Sequence, residues 1–114
     1  MQHIGDAILI TEDGTVITVN LPANRENFAD YTAALLRCTT LEAFDLTYGV
    51  TVWLDEEGLG QWPYNALMDA LGNLHGHTNS FHGPVLITGY STHVQPLATD
   101  QAIQLLKELN DAGA

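Results

Sequence analysis

Hydrophobic and polar residues alternate along two parts of the first half of the chain. Residues 7–10 and 15–19 are rich in β-branched and aliphatic side chains, and Asp13 and Gly14 lie between them. Because glycine accepts the positive φ of a tight turn, this pattern predicts a β-hairpin. Residues 43–54 then alternate cleanly, which predicts two strands interrupted near residues 47–49.

Three segments have the three- and four-residue spacing of helices with one apolar face. We predict that the first is capped by Asn24 and ends near Cys38. The second should start at Pro63, whose missing N–H costs nothing in a first turn, and the third should be capped by Thr99. The predicted apolar faces comprise Phe28, Tyr31, Leu35 and Cys38; Tyr64, Leu67, Leu71 and Leu74; and Ala102, Ile103, Leu106 and Leu109.

One more strand is predicted at residues 84–89, where Pro84 holds the first position that a strand tolerates for proline. The element order is therefore β-β-α-β-β-α-β-α. Strands joined by hairpins and interspersed with a few helices are typical of α+β folds. We expect one domain over residues 1–114, with a mainly antiparallel sheet and about three helices packed on one of its faces.

The charge of the chain is strongly one-sided. Fourteen acidic residues face only three basic ones, Arg25, Arg37 and Lys107, for a formal net charge of −11. Such a surface repels phosphate groups, which argues against direct nucleic-acid binding and against binding to anionic membranes. The same surface favours a protein partner with a basic surface.

The only cysteine, Cys38, has no second thiol with which to form an intramolecular disulfide. This fits a reducing compartment, and residues 1–10 lack the basic and long apolar regions of a signal peptide. We therefore expect a cytoplasmic protein. No activating neighbour of Cys38 is visible in the sequence, so we interpret it as a small apolar residue on a helix face.

A family resemblance appears in the second half of the chain. Residues 53–71 read WLDEEGLGQWPYNALMDAL, and residues 81–109 read FHGPVLITGYSTHVQPLATDQAIQLLKEL. Together they resemble the domain-of-unknown-function family 3846, small proteins of actinobacterial phages and their hosts. The shared elements are the acidic turn at residues 55–58, Pro63 with Asn65, the strand at residues 83–89 and the closing helix. The chain has Ala66 after Asn65, where that family pattern has a basic residue. The resemblance implies a fold and an origin in an actinobacterial phage or its host, and it implies no reaction. If the protein is phage-encoded, the expected compartment is the cytoplasm of the bacterial host.

Residues 75–82 form the clearest candidate for metal binding. His75, His77 and His82 would converge on a divalent ion if the loop folded back, with Asp69 or His93 as a fourth ligand. Their spacing matches no zinc signature, however, so we favour a loop with solvated or hydrogen-bonded histidines. We expect no metal and no cofactor.

Six residues around the acidic turn are the predicted partner-binding site. They are Trp53, Asp55, Glu56, Glu57, Trp62 and Tyr64. The three carboxylates would lie on a solvated turn that attracts a basic partner. Trp53 lies on the polar side of its strand, so it either packs under a helix or anchors an interface. Asn65 is expected to cap or buttress the following helix.

No phosphate-binding loop, nucleophile elbow or catalytic triad is visible, so we do not expect an enzyme. Our leading hypothesis is a small acidic phage-type accessory protein that binds and modulates a host protein. One alternative is a module that binds a metal or small molecule through residues 75–82. Another is a DNA mimic that blocks a nucleic-acid-binding protein. A homodimer through the strand around Trp53 would also cover exposed aromatic residues.

Overall fold

The chain begins with the predicted hairpin. A computed structural model describes residues 5–113, so residues 1–4 and 114 of the expected domain, and part of the segment tested for a signal peptide, lie outside the described residues. Strands β1 (Ala7–Ile10) and β2 (Val16–Val19) pair antiparallel. Gly14 has a φ of 88° in the connecting turn, which confirms the role predicted for it.

The first helix starts and ends near the predicted residues. The side chain of Asn24 accepts a hydrogen bond from the Glu26 N–H at 3.0 Å and caps a short 3-10 turn, Arg25–Asn27. Helix α1 (Phe28–Leu36) follows, and Arg37 ends it in the left-handed conformation at φ 55°.

The alternating segment is two strands, as predicted. Strand β3 (Leu41–Thr47) and strand β4 (Val50–Asp55) form an antiparallel hairpin, with Gly49 at φ 76° in the turn.

The second helix starts later than predicted. Helix α2 spans Ala66–Leu74 instead of beginning at Pro63. The Pro63 carbonyl accepts from the Gly83 N–H at 2.9 Å, and Tyr64 forms a bridge with His82, so this stretch is extended. Asn65 is the N-cap, as expected: its side-chain oxygen accepts from the Met68 N–H at 2.9 Å.

The last third of the chain contains strand β5 (Val85–Tyr90), strand β6 (Val94–Gln95) and helix α3 (Thr99–Ala112). The two-residue strand β6 was not predicted. Thr99 is the first helical residue and not the cap, because the capping position is taken by Ala98. The Ala98 N–H donates to the side-chain oxygen of Gln101 at 2.9 Å instead.

The sheet is antiparallel throughout, in the order β2-β1-β5-β4-β3, with β6 also pairing with β5. With its three helices it is an α+β fold, as predicted. The helices lie on both faces, however, whereas we expected them on one. Helices α2 and α3 cover the face of Ile8 and Ile87, and α1 covers the face of Leu9 and Leu86.

The physical reason is the composition of the central strands. All four residues of β1 are buried, and so are the first five of β5. A strand with apolar residues at consecutive positions needs cover on both sides, so one helix has to cross to the opposite face. None of the helices described in residues 5–113 has the length and apolar character needed to cross a membrane.

Candidate functional site

Asp55, predicted to lie on a solvated turn, is instead buried, with 6% of its surface exposed. One carboxylate oxygen accepts from the Trp62 indole N–H at 2.9 Å, and the other accepts from the Glu57 backbone N–H at 2.9 Å. Burial of a carboxylate requires such partners. Asp55 therefore organises the turn and presents no charge to a partner.

Trp62 is held from three sides. Besides its bond to Asp55, the Arg37 guanidinium lies 4.5 Å from the centre of its ring, in cation–π geometry. On another side it packs against Gly83, where an added Cβ would lie 2.7 Å from the Trp62 Cγ. We call Arg37, Asp55, Trp62 and Gly83 the Asp55 cluster. Its tryptophan is committed to intramolecular contacts.

Trp53 packs under helix α1, which is one of the two outcomes expected for it. Its ring makes an edge contact with Phe28 at 4.8 Å between ring centres, and its indole N–H donates to the Thr88 hydroxyl at 2.9 Å. Strand β4, which carries Trp53, pairs with β3 on one side and β5 on the other. Strand β4 therefore has no free edge over residues 50–53 that a second copy could pair with, and a homodimer stays a prediction.

The other three predicted partner-binding residues lie at the surface. Glu56 and Glu57 are exposed. Tyr64 is 48% exposed, and its hydroxyl donates to Asp69 at 2.7 Å. That hydrogen bond is the main reason why the pKa of Tyr64 is raised above its usual value. Of the six predicted partner-binding residues, these three are therefore the ones accessible to a partner.

The three loop histidines have separate partners. His75 Nε2 lies 2.8 Å from Glu108, His77 Nε2 lies 3.0 Å from the Leu46 carbonyl, and His82 Nδ1 lies 3.2 Å from the Trp62 carbonyl. Across residues 5–113 no three His, Cys, Asp or Glu side chains are grouped to hold a metal ion. The metal site considered from the sequence therefore has no geometric support, and neither Asp69 nor His93 completes it.

Cys38 lies beside the Asp55 cluster. Burial raises the pKa of its thiol, and the negative charge of Asp55 raises it further. A thiol in that environment stays protonated, and the thiol is a poor nucleophile. Nothing among the described residues indicates catalysis.

The most exposed aromatic residue among the described residues is not one of the predicted site residues. Tyr48, in the turn between β3 and β4, is 99% exposed. Beside it, the end of β5 carries Tyr90, and the two tyrosines line one open cleft of about 640 Å³. The cleft is also lined by Asp45, Thr47, Gly49, Thr51, Ser91, Thr92, Gln95 and Gln101. We call this set of ten residues the tip surface.

Two smaller hollows continue the tip surface in opposite directions. A hollow of about 240 Å³ shares Tyr48 and Gln101 with it and extends along α3 past Asp100 and Glu108. A notch of about 160 Å³ shares Asp45, Thr51 and Tyr90 with it and extends under Ala43 to Trp53. The three together form a continuous strip at one end of the sheet.

The strip is acidic. Asp45, Asp100 and Glu108 line it, and none of the three basic residues of the chain does. Burial raises the pKa of Glu108, but hydrogen bonds from Gln104 and His75, together with the charge of His75, lower it more, so its pKa falls below the usual value. Glu108 is therefore ionised at neutral pH, with His75 Nε2 in contact at 2.8 Å.

A signal for Tyr48 was present in the sequence. A tyrosine stood at the predicted strand break, where polar residues and glycine are usual. A large aromatic side chain in a turn has little core to enter, which is why it is fully exposed.

The carboxylates do not lie on a single face. Glu26 and Asp30 lie on or next to α1, on one side of the sheet, whereas Asp100 and Asp111 lie on α3, on the other. A DNA mimic needs rows of charge along one face, so this distribution gives that alternative no support.

Comparison with known proteins adds no family: no family model, no curated protein and no solved structure matches this chain. The resemblance to the domain-of-unknown-function family 3846 stays a prediction.

Proposed function

We propose that this chain is a small acidic binding protein that docks a basic protein partner on its tip surface and performs no catalysis itself. The observation that carries the proposal is Tyr48, which is 99% exposed and lines one cleft with Tyr90 and Asp45, next to a hollow lined by Asp100 and Glu108. Tyrosine is enriched at the centres of protein interfaces because it buries much area at a small cost in conformational entropy.

The charge of the chain supports the same choice of partner. With a net charge of −11, the protein attracts a basic surface over long distances and speeds its encounter. Attraction of this kind falls with added salt, since the screening length is about 8 Å at physiological ionic strength. Binding should therefore weaken steeply as the salt concentration rises.

The resemblance stated above extends the proposal to the source of the partner. A phage-type accessory protein acts on a protein of its bacterial host, which here would be an actinobacterium. Binding at the tip surface would modulate that host protein by occupying its basic surface.

A photocrosslinking experiment tests the proposal. Benzoylphenylalanine is placed at position 48 in one preparation and at position 103 in another, because Ile103 is also exposed, at 52%, but lies on α3 outside the tip surface. Both are irradiated in an actinobacterial lysate at low and high salt. We expect a salt-sensitive adduct from position 48 alone, competed away by unlabelled wild-type protein and not by the Tyr48→Ser variant. Equal adducts from both positions, or none from position 48, would overturn the proposal.

A further inference from the structure

Strand β3 has one edge without a partner strand among the described residues, since it pairs only with β4. The Thr40 carbonyl accepts from the Glu56 N–H at 3.0 Å. Because hydrogen-bonded and non-hydrogen-bonded pairs alternate in an antiparallel ladder, the backbone groups of Glu42 and Phe44 face β4. Those of Leu41, Ala43 and Asp45 face outward, as a template for another strand.

The side chains of Ala43 and Asp45 lie on the same face of the sheet as Trp53, opposite which Ala43 is paired. They open onto the notch of about 160 Å³, which is lined by Ala43, Phe44, Asp45, Thr51, Trp53 and Tyr90. The rings of Trp53 and Tyr90 stand 6.4 Å apart at 47° to each other. Ala43 is paired opposite Trp53, and its small side chain covers little of the notch between the strand edge and the rings.

A positively charged side chain matches this notch. Two aromatic rings provide faces that attract a cation, and Asp45, which accepts from the Thr51 hydroxyl at 3.3 Å, provides a carboxylate at the rim. Strands lie about 4.8 Å apart, so Trp53 on β4 is two strand spacings, roughly 10 Å, from the axis of a strand added to β3. Lysine and arginine are the side chains long enough to cross Ala43 toward it.

We infer, resting on the proposed function, that an extended segment of the basic partner adds to the free edge of β3 and places a Lys or Arg side chain in the notch between Trp53, Tyr90 and Asp45. The main-chain hydrogen bonds supply affinity, and the notch supplies selection for the cation. The ladder covers residues 41–45, because a register shift between Asp45 and Thr47 ends regular pairing. Tyr48 lies just beyond that end and contacts the next part of the partner.

A second copy of this chain is a worse occupant of the same edge. Each β3 carries Glu42 and Asp45, and each chain has a net charge of −11, so two copies repel each other electrostatically.

The test is a titration of the isotope-labelled protein, followed by NMR, with the blocked peptide Thr-Val-Arg-Val-Thr and with the same peptide carrying citrulline, an uncharged analogue, in place of arginine. We expect the arginine peptide to shift the amide signals of Ala43 and Asp45 and the indole signal of Trp53. The citrulline peptide should bind about tenfold more weakly, the change that loss of one charge-assisted bond produces.

Two variants of β3 form a matched pair, because each removes one charge but on opposite faces of the strand. Asp45→Asn should weaken the arginine peptide about fivefold to tenfold, whereas Glu42→Gln should change its affinity by less than about twofold. Spectra of the free variants establish that both are folded. Equal losses of affinity for the two variants, or equal affinities for the two peptides, would overturn the inference that the notch binds a Lys or Arg side chain.

The outcomes also separate this inference from the proposed function. If neither peptide shifts the β3 signals while position 48 still crosslinks a partner in a salt-sensitive way, the inference fails and the proposed function stands. If position 48 gives no specific adduct and the arginine peptide does not bind, both fail.

Discussion

The Asp55 cluster and the tip surface both combine aromatic and acidic residues, and each includes a residue of strand β4, Asp55 in the cluster and Thr51 at the tip. In the cluster the tryptophan indole donates to a buried carboxylate at 2.9 Å and an arginine covers the ring. At the tip, Tyr48 is 99% exposed, and Asp45 lines the cleft beside it. The same residue types thus stabilise the fold in one region and remain available to a partner in the other.

The difference lies in what each aromatic residue finds nearby. Trp62 lies next to a glycine that leaves room for its ring and next to a carboxylate that accepts its N–H. Tyr48 lies at a hairpin turn, where no element covers it. Composition of a segment therefore does not distinguish a structural aromatic–acid pair from a binding surface, whereas partners and exposure do.

The largest effect expected from this comparison is at Asp55. Replacing it with alanine leaves the Trp62 indole N–H and the Glu57 N–H without their acceptor, which should lower the free energy of unfolding by about 3 kcal/mol. Glu56→Ala removes an exposed neighbouring charge and should change it by about 0.5 kcal/mol or less. Urea unfolding of both variants measures the difference. Similar losses in the two would show that Asp55 is not structural.

Trp62→Phe is a narrower change in the same cluster. It keeps an aromatic ring beside Gly83 but removes the donor to Asp55, and we expect a loss of about 2 kcal/mol in the free energy of unfolding. Tyr64→Phe is the matched control, since it removes an aromatic donor to a carboxylate at an exposed site, and its effect should be about 0.5 kcal/mol or less. A larger loss for Tyr64→Phe than for Trp62→Phe would contradict the division between the two regions.

A smaller effect is expected next to the tip, in the pH dependence of stability. The pKa of Glu108 in the folded protein is below its ordinary 4.5, so its carboxylate stabilises the fold above that pH. This contribution is lost as the pH falls from about 4.5 through the lower folded pKa. Glu108→Gln should therefore make the loss of stability on acidification shallower, by about 1 kcal/mol or less between about pH 5 and pH 3.

The measurement is urea unfolding of wild type and Glu108→Gln at a series of pH values. Glu42→Gln, which removes a charge from an exposed position on β3, is the control for net charge. An unchanged slope in Glu108→Gln, or the same change in both variants, would mean that the contacts of Glu108 with His75 and Gln104 do not bear on stability.

The smallest effect on stability is expected at Tyr48 itself. Because the side chain of Tyr48 is 99% exposed, Tyr48→Ser should change the free energy of unfolding by about 0.5 kcal/mol or less. The same variant, added unlabelled, should no longer compete with the crosslink formed from position 48. Leu59→Ser, at a residue 79% exposed near the Asp55 cluster, is the control for loss of an exposed apolar side chain. A loss above about 1.5 kcal/mol in Tyr48→Ser would show that Tyr48 belongs to the packing, which would remove it from the binding surface.

Local features of the fold were readable from the residues. The turns at Gly14 and Gly49, the cap at Asn65 and the end of α1 near Cys38 each follow from the chemistry of one to four neighbouring residues. The start of α2 was predicted at Pro63, three residues early. The bond between the Pro63 carbonyl and Gly83, twenty residues away, holds this stretch extended, and no local pattern reports such a bond.

The candidate site was less predictable than the fold for the same reason. Trp53, Asp55 and Trp62 were predicted to be partner-binding residues. In the structure Trp53 contacts Phe28 and Thr88, and Trp62 contacts Arg37 and Gly83, residues that lie far from them in the chain. Tyr48 is not among the predicted site residues, because a position in a turn does not by itself show whether another element packs on the side chain.

By itself, then, the sequence determined the five longer strands, the presence of three helices, the α+β class and a net charge of −11 that favours a basic partner. Periodicity depends on residues close together in the chain, and net charge is a sum over the chain, so both can be read without a structure. Only the tertiary structure decided that α1 crosses to the second face, which carboxylate is buried, and which aromatic residue stays exposed. Each of those outcomes depends on contacts between residues far apart in the chain.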